Sequence, residues 1–114
     1  LRWALGPLFS VPVDDVPDVV VETVGLALRT TDLAADFPGP DGPEPLGDFG
    51  GPALVVVAEA DPFFPPGRTL DRAEAWLPGP VETRVLTGER HFLSSAGQRE
   101  TTDAVRSFLA ANSH

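Results

Sequence analysis

Two residue types that together support acid–base chemistry follow two predicted strands. Asp61 comes shortly after the apolar run Ala53–Ala58 (ALVVVA), and His91 comes after Val81–Leu86 (VETRVL) and a turn through Gly88. In open parallel sheets, ligands bind outside the carboxyl ends of the strands. If these strands are parallel neighbours, the carboxylate and the imidazole lie side by side at one end of the sheet. The carboxylate can then hold the imidazole Nδ1–H and leave Nε2 free to act as a general base.

The same two residues also allow a purely structural interpretation. Asp61 is followed by Pro62 and suits the start of a turn, which its side chain would cap. His91 would then be a surface residue without a role in chemistry. Spacing alone favours neither interpretation. The choice between them depends on the secondary-structure elements that position the two residues.

Those elements alternate in type. The run ALVVVA is short, unbroken and rich in valine, which is typical of a strand covered on both faces in a parallel sheet. Apolar spacing predicts a helix over residues 68–77, and VETRVL predicts a second, less buried strand. A last helix is predicted over residues 98–111, with Ser94 or Ser95 as its cap. The order β-α-β-α is typical of a right-handed crossover unit.

The sequence before the first strand has a different character. Residues 1–13 are apolar and interrupted by prolines, which indicates an irregular segment packed against another part of the molecule. Asp15 as N-cap, Pro17 in the first turn and regularly spaced valines predict an amphipathic helix that ends at about residue 32 or 35. Residues 38–52 contain five prolines and five glycines and predict a long connecting loop.

Composition excludes several classes of function. The 114 residues include 17 acidic and 8 basic side chains, so the net charge of -9 opposes nucleic-acid binding, which needs clustered cations. The absence of cysteine excludes disulfides, thiolate metal sites and a cysteine nucleophile. We expect no membrane span, no cofactor and no metal, and a cytoplasmic location. The acidic group Asp14, Asp15 and Asp18 is interpreted as solubilising surface rather than as a cation site.

Three motifs resemble parts of the α/β-hydrolase family. Residues 46–65 resemble its acid-bearing strand and loop, which commonly reads Asp-Pro, then apolar residues, then Pro. Residues 88–92 (GERHF) resemble its Gly-x-Gly-His-Phe turn, although Arg90 stands where the family usually has Gly. Residues 105–109 (VRSFL) resemble its closing helix. The motifs occur in the order of that family, separated by a helix and a strand.

The resemblance implies a partial α/β-hydrolase fold. Residues 1–36 would be the helical end of a lid, residues 37–52 a Pro/Gly-rich connecting loop, and residues 53–114 the C-terminal βαβα part of the domain. It further implies that Asp61 and His91 are the acid and the histidine of a catalytic triad. The substrate would be an ester or a similar small apolar molecule, and Phe63 and Phe64 would border its pocket.

The nucleophile of such a triad has no counterpart in the sequence. The family carries it before the acid, on a Gly-x-Ser-x-Gly turn between a strand and a helix. Ser10 has no flanking glycines, and Ser94 suits a helix cap. The strand ALVVVA also needs a neighbour on its second edge, and the chain begins with Leu1 instead of Met. We therefore expect an N-terminal portion or a partner chain to supply the nucleophile, and the chain alone to be inactive.

Two alternatives stay open at this point. Within the same family, an Asp nucleophile would make the protein a dehalogenase or an epoxide hydrolase. In a different class, the chain would be a catalytically silent interaction module that pairs its open sheet edge with a partner or with itself, as a homo-oligomer. Restored hydrolysis would distinguish the first class, and a stable oligomer without esterase activity would distinguish the second.

Overall fold

A computed structural model describes residues 2–30 and 44–113 of the chain. The elements follow the predicted order, with a helix first and a βαβα unit after it. They are α1 (Asp18–Thr30), β1 (Ala53–Ala58), α2 (Pro66–Trp76), β2 (Val81–Leu86) and α3 (Ser95–Asn112), together with 3₁₀ helices at Trp3–Leu8, Val13–Asp15 and Glu44–Leu46. The expected boundary between residues 1–36 and 37–52 lies outside the described residues, as does the predicted end of the first helix.

The two strands form a parallel sheet. Their register pairs Ala53 with Val81 at one end and Ala58 with Leu86 at the other. One further hydrogen bond, from Glu59 N to the Leu86 carbonyl at 3.1 Å, continues the pairing one residue beyond the end of β1. The chain therefore leaves both strands at the same end of the sheet, as the sequence predicts. The described residues form a mixed α/β structure.

The burial of β1 differs from the prediction. Only Val57 and Ala58 are buried, whereas Ala53–Val56 are half-buried, so the expectation of cover on both faces is wrong for most of the strand. Within the described residues, α2 and α3 are the helices that contact both strands, and they are too few to enclose the sheet. The cover is concentrated at the carboxyl end, where Leu86 is 1% exposed.

The N-terminal segment forms a second apolar cluster. The 3₁₀ helix Trp3–Leu8 contributes Leu5 and Leu8, which pack with Phe9, Val16 and Val21. This confirms that the proline-interrupted segment packs against other residues, which here belong to α1 and to the chain just before it. The guanidinium of Arg2 holds the chain just before α1 in place, because it donates to the carbonyls of Val13 and Val16 and pairs with Asp18.

The first α-helix begins later than predicted. Asp15 ends a 3₁₀ helix, Val16 is extended, and the carbonyl of Pro17 accepts the first helical hydrogen bonds, from Val20 and Val21. Asp15 is therefore not the N-cap. The cause is local, since proline disfavours helical backbone in the residue before it, here Val16.

The last helix has the predicted cap. Ser94 has extended backbone, and its hydroxyl oxygen accepts a hydrogen bond from the Gly97 N–H at 3.1 Å. This satisfies one of the free N–H groups at the start of α3. No helix in residues 2–30 and 44–113 combines the length and the apolar character needed to cross a membrane.

A close backbone crossing at the amino end of the sheet leads to a stability prediction. A Cβ on Gly79 would lie 2.3 Å from the Gly51 carbonyl oxygen, and the backbone there cannot shift without straining the Ala53 N–H···Pro80 hydrogen bond of 2.9 Å. We expect Gly79→Ala to lower the free energy of unfolding by about 1–3 kcal/mol in urea titrations. The matched control is Gly67→Ala in α2, where a Cβ meets nothing within 4 Å and alanine favours the helix. Equal unfolding free energies for the two variants would contradict the prediction.

Candidate functional site

The Asp61 carboxylate divides its two oxygens between the loop and the histidine. Oδ1 accepts hydrogen bonds from the N–H groups of Phe63 at 2.8 Å and Phe64 at 3.2 Å. Oδ2 lies 3.1 Å from Nδ1 of His91. The first contact is the turn cap of the structural interpretation, and it fixes the carboxylate so that its second oxygen faces the ring. Capping and pairing with histidine therefore occur together in one side chain.

His91 is held in a defined orientation by this contact. An ionised carboxylate only accepts hydrogen bonds, so its contact with Nδ1 requires the proton on Nδ1, and in a neutral ring this leaves the lone pair on Nε2. Among the described residues, none makes a hydrogen bond to Nε2. The Asp61 side chain is 10% exposed and that of His91 is 29% exposed, so the acid is shielded while the ring is reachable from solvent. This is the arrangement required of an oriented general base.

Three phenylalanine rings surround the imidazole. Phe63 and Phe92 meet it edge-on, each with a centroid separation of 5.0 Å, and Phe64 stacks on it at 6.0 Å. All three are partly exposed, with Phe64 at 51%. An apolar surface therefore adjoins the histidine, on the side where Phe63 and Phe64 were predicted to border a substrate.

The turn that presents His91 depends on one glycine. Gly88 has a φ of 73°, and the described residues contain no other residue with positive φ. Its N–H donates to Oε1 of Glu59 at 3.2 Å. Because Gly88 alone carries the left-handed conformation, Arg90 is accommodated without backbone strain at the position where the resemblance would place a glycine.

Arg90 connects the histidine turn to the N-terminal segment. Its backbone N–H donates to Oγ of Ser10 at 2.8 Å, and its guanidinium donates to the Gly6 carbonyl at 3.0 Å. A parallel β-bridge between Phe9 and Phe92 completes the connection, with both rings stacked at 5.0 Å. The N-terminal segment is thus a structural support of the site.

A buried acid lies between the turn and α3. Glu89 is 8% exposed, and its carboxylate accepts hydrogen bonds from the backbone N–H of Ser94 at 3.1 Å and from the Ser94 hydroxyl. Burial acts to raise the pKa of Glu89, but hydrogen bonds from Ser10, Ser94 and Gly97 outweigh it and hold the pKa below its ordinary value. The carboxylate also lies at the positive end of the α3 dipole, where anions are favoured.

Glu89, Ser10 and Phe92 are supporting residues that sequence reasoning did not identify. Glu89 and Phe92 lie inside the quoted GERHF turn, so their proximity to His91 was a usable signal. Ser10 lies 80 residues from Arg90 in sequence, and no local pattern indicates their contact. Ser10 and Ser94 are both engaged with this turn, which agrees with the view that neither serine is a nucleophile.

A groove on the described part lies away from this pair. It has a volume of about 360 Å³ and is lined by Arg84, Glu100, Asp103, Ala104 and Ser107, between β2 and α3. Neither Asp61 nor His91 borders it. In residues 2–30 and 44–113, no three acidic or histidine side chains come together in a way that could hold a metal ion. The oriented Asp61–His91 pair is therefore the candidate site on chemical grounds rather than on cavity size.

Comparisons with known proteins return no match. No protein-family model matches the chain, and neither curated proteins nor solved structures gave a significant match. The resemblance to the α/β-hydrolase family therefore rests on the three sequence motifs and stays a prediction.

The buried Glu89 predicts a specific loss of stability in acid. Because its pKa is depressed in the folded state, the unfolded chain binds more protons in the interval between the folded pKa and the ordinary value of about 4.3. Its contribution to stability is therefore complete above about pH 4.3 and is lost as the pH falls through the folded pKa. Urea unfolding between pH 3 and 7 should show Glu89→Gln losing most against the unsubstituted chain at the upper end of that range. A difference between the two proteins that does not change with pH would refute this assignment.

Proposed function

We propose that the chain supplies the acid and the base of an α/β-hydrolase site that acts on an ester or a similar small apolar substrate. The observation that carries the proposal is the 3.1 Å contact between Asp61 Oδ2 and His91 Nδ1, with Oδ1 fixed by two loop amides. The finer fold assignment belongs to the same proposal, in which residues 53–114 are the C-terminal part of that fold. The cytoplasmic location remains a prediction.

The proposed chemistry uses Nε2 of His91 as the proton carrier. Nε2 takes the proton of a serine hydroxyl as the hydroxyl oxygen forms a bond to the ester carbonyl carbon. Asp61 stabilises the resulting imidazolium through Nδ1. The bond from the carbonyl carbon to the leaving oxygen then breaks, and the imidazolium returns the proton to the departing alcohol. Water repeats the sequence on the acyl-serine, which releases the acid and restores the hydroxyl.

The nucleophile in this proposal comes from outside the described residues. Ser10 accepts a hydrogen bond from Arg90 and Ser94 is bound to Glu89, so both hydroxyls are committed to the support of the turn. In the described part, β1 has a neighbour on one edge only. A further strand on the open edge, from preceding sequence or from a partner chain, would place a strand-to-helix turn beside Asp61 and His91. An Asp nucleophile on that turn would give a dehalogenase or an epoxide hydrolase instead.

The apolar surroundings support the class of substrate. The rings of Phe63 and Phe64 are 39% and 51% exposed beside the imidazole. Covering such rings with an acyl chain gains about 25 cal/mol for each Å² removed from water. A small apolar group near Nε2 therefore suits this surface better than a charged one.

Kinetics on short-chain p-nitrophenyl esters test the proposal. The protein is expressed with the sequence that its gene encodes on either side and with any partner polypeptide. Asp61→Asn and His91→Ala should each lower kcat by about 10²- to 10⁴-fold, because the base loses its orientation or is removed. Asp71→Asn, a matched change at an exposed site on α2, should leave kcat unchanged. Retention of full activity in both site variants would exclude the proposed roles.

A second candidate function is supported by the open edge and the exposed apolar side chains. Three large apolar side chains of the described part are exposed, Trp3 at 82%, Phe49 at 50% and Leu109 at 59%. In this alternative the chain is catalytically silent, and β1 pairs with a second copy along its open edge. Large apolar surfaces and unpaired strand edges are both typical of protein interfaces.

Light scattering separates the alternative from the hydrolase. Ala53 N–H and Glu59 N–H donate to the β2 side, so alternation in a parallel ladder directs the N–H of Val56 to the open edge. If the edge mediates self-association, the isolated chain should be a stable dimer and Val56→Pro should convert it to a monomer. A monomeric unsubstituted chain would count against the interaction module and would leave the hydrolase proposal unaffected.

A further inference from the structure

We propose that Glu89 is a positioning residue for the Asp61–His91 pair, a role that rests on the function proposed above. Glu89 makes no hydrogen bond to either side chain of the pair. Instead it connects the turn that carries His91 to the Asp61 loop and to the start of α3, and its neighbour Arg90 connects the turn to the N-terminal segment.

The connection to the Asp61 loop is made by the backbone. The carbonyl of Glu89 accepts a hydrogen bond of 2.8 Å from the N–H of Ala60, the residue before Asp61. A shift of the Glu89 backbone is therefore transmitted to both residues of the pair, since His91 follows Glu89 by two positions. The 3.1 Å contact between the two side chains depends on this local register.

The connection to α3 is made by the carboxylate. Ser94 donates through both its N–H and its hydroxyl, and Gly97 lies so close that a Cβ there would be 2.2 Å from Oε1 of Glu89. The helix start thus fits around the carboxylate and leaves no room for a side chain. Since α3 packs on both strands, the carboxylate fixes the histidine turn relative to the body of the sheet.

The connection to the N-terminal segment passes through Ser10. Its hydroxyl oxygen accepts a hydrogen bond from the N–H of Arg90, the residue after Glu89, at 2.8 Å. The backbone immediately after Glu89 is therefore held by this serine. The Phe92 N–H, which donates to the Leu8 carbonyl at 2.8 Å, fixes the turn on the other side of His91. The backbone is restrained both before and after the histidine.

The imidazole ¹⁵N spectrum of His91 tests the positioning role, with signals assigned against a His114→Gln variant. The unsubstituted full-length chain should show one neutral tautomer with the proton on Nδ1. Glu89→Gln should cause loss of that single tautomer, seen as averaging of the two ring ¹⁵N shifts. Gly97→Ala, which keeps the charge but displaces the carboxylate, should change the spectrum in the same direction. Glu100→Gln, an exposed acid on the same helix, should leave the spectrum unchanged.

Each result has a distinct meaning. A tautomer that persists in Glu89→Gln and Gly97→Ala, both folded by circular dichroism, overturns the positioning role while the proposed function stands. An unsubstituted chain without the Nδ1-protonated tautomer overturns the proposed function. Should Glu89→Gln fail to fold, Gly97→Ala and Ser94→Ala decide the question, because each alters a contact of the carboxylate and retains its charge.

Discussion

Strands β1 and β2 pair in parallel, from Ala53 opposite Val81 to Ala58 opposite Leu86. Both strands therefore end at the same end of the sheet. A parallel pair needs a crossover connection, which α2 provides, and that connection separates Asp61 and His91 by 30 residues in sequence. In space the two side chains meet because each follows the end of its strand. An antiparallel pair would have placed them at opposite ends of the sheet. The site is thus a consequence of strand direction first and of local chemistry second.

Local hydrogen bonds then fix the orientations of Asp61 and His91, which strand direction alone does not determine. Asp61 is fixed by loop amides, Gly88 makes the turn, and the buried Glu89 links that turn to the Asp61 loop and to α3. A buried carboxylate is costly unless it is hydrogen-bonded, and loss of its partners would leave an uncompensated charge. This cost opposes motion of the turn, because moving it away from Ser94 and Gly97 would leave the buried Glu89 carboxylate without its hydrogen bonds. The orientation of His91 is therefore coupled to the stability of the start of α3.

Much of this could be predicted from sequence because the signals were local. The valine run and the alternation of VETRVL gave both strands within a residue, and Ser94 was identified as a helix cap. Proximity of Asp61 and His91 followed from the rule that parallel strands end together. The sequence predicts less well those features that depend on contacts between residues far apart in the chain. Burial of β1 depends on how many elements cover the sheet, and the contact of Ser10 with Arg90 joins segments that no periodicity relates.

In the proposed function, Asp61 and His91 activate a serine that lies outside residues 1–114. Labelling with a fluorophosphonate, which reacts with activated serine hydroxyls, tests it on the protein expressed from its gene with any partner polypeptide. Peptide mass mapping should find the adduct on a serine outside this chain, with labelling slowed at least about 100-fold by His91→Ala. An adduct on Ser10, Ser94 or another serine of this chain, or labelling that His91→Ala leaves unchanged, would contradict the proposed roles of Asp61 and His91.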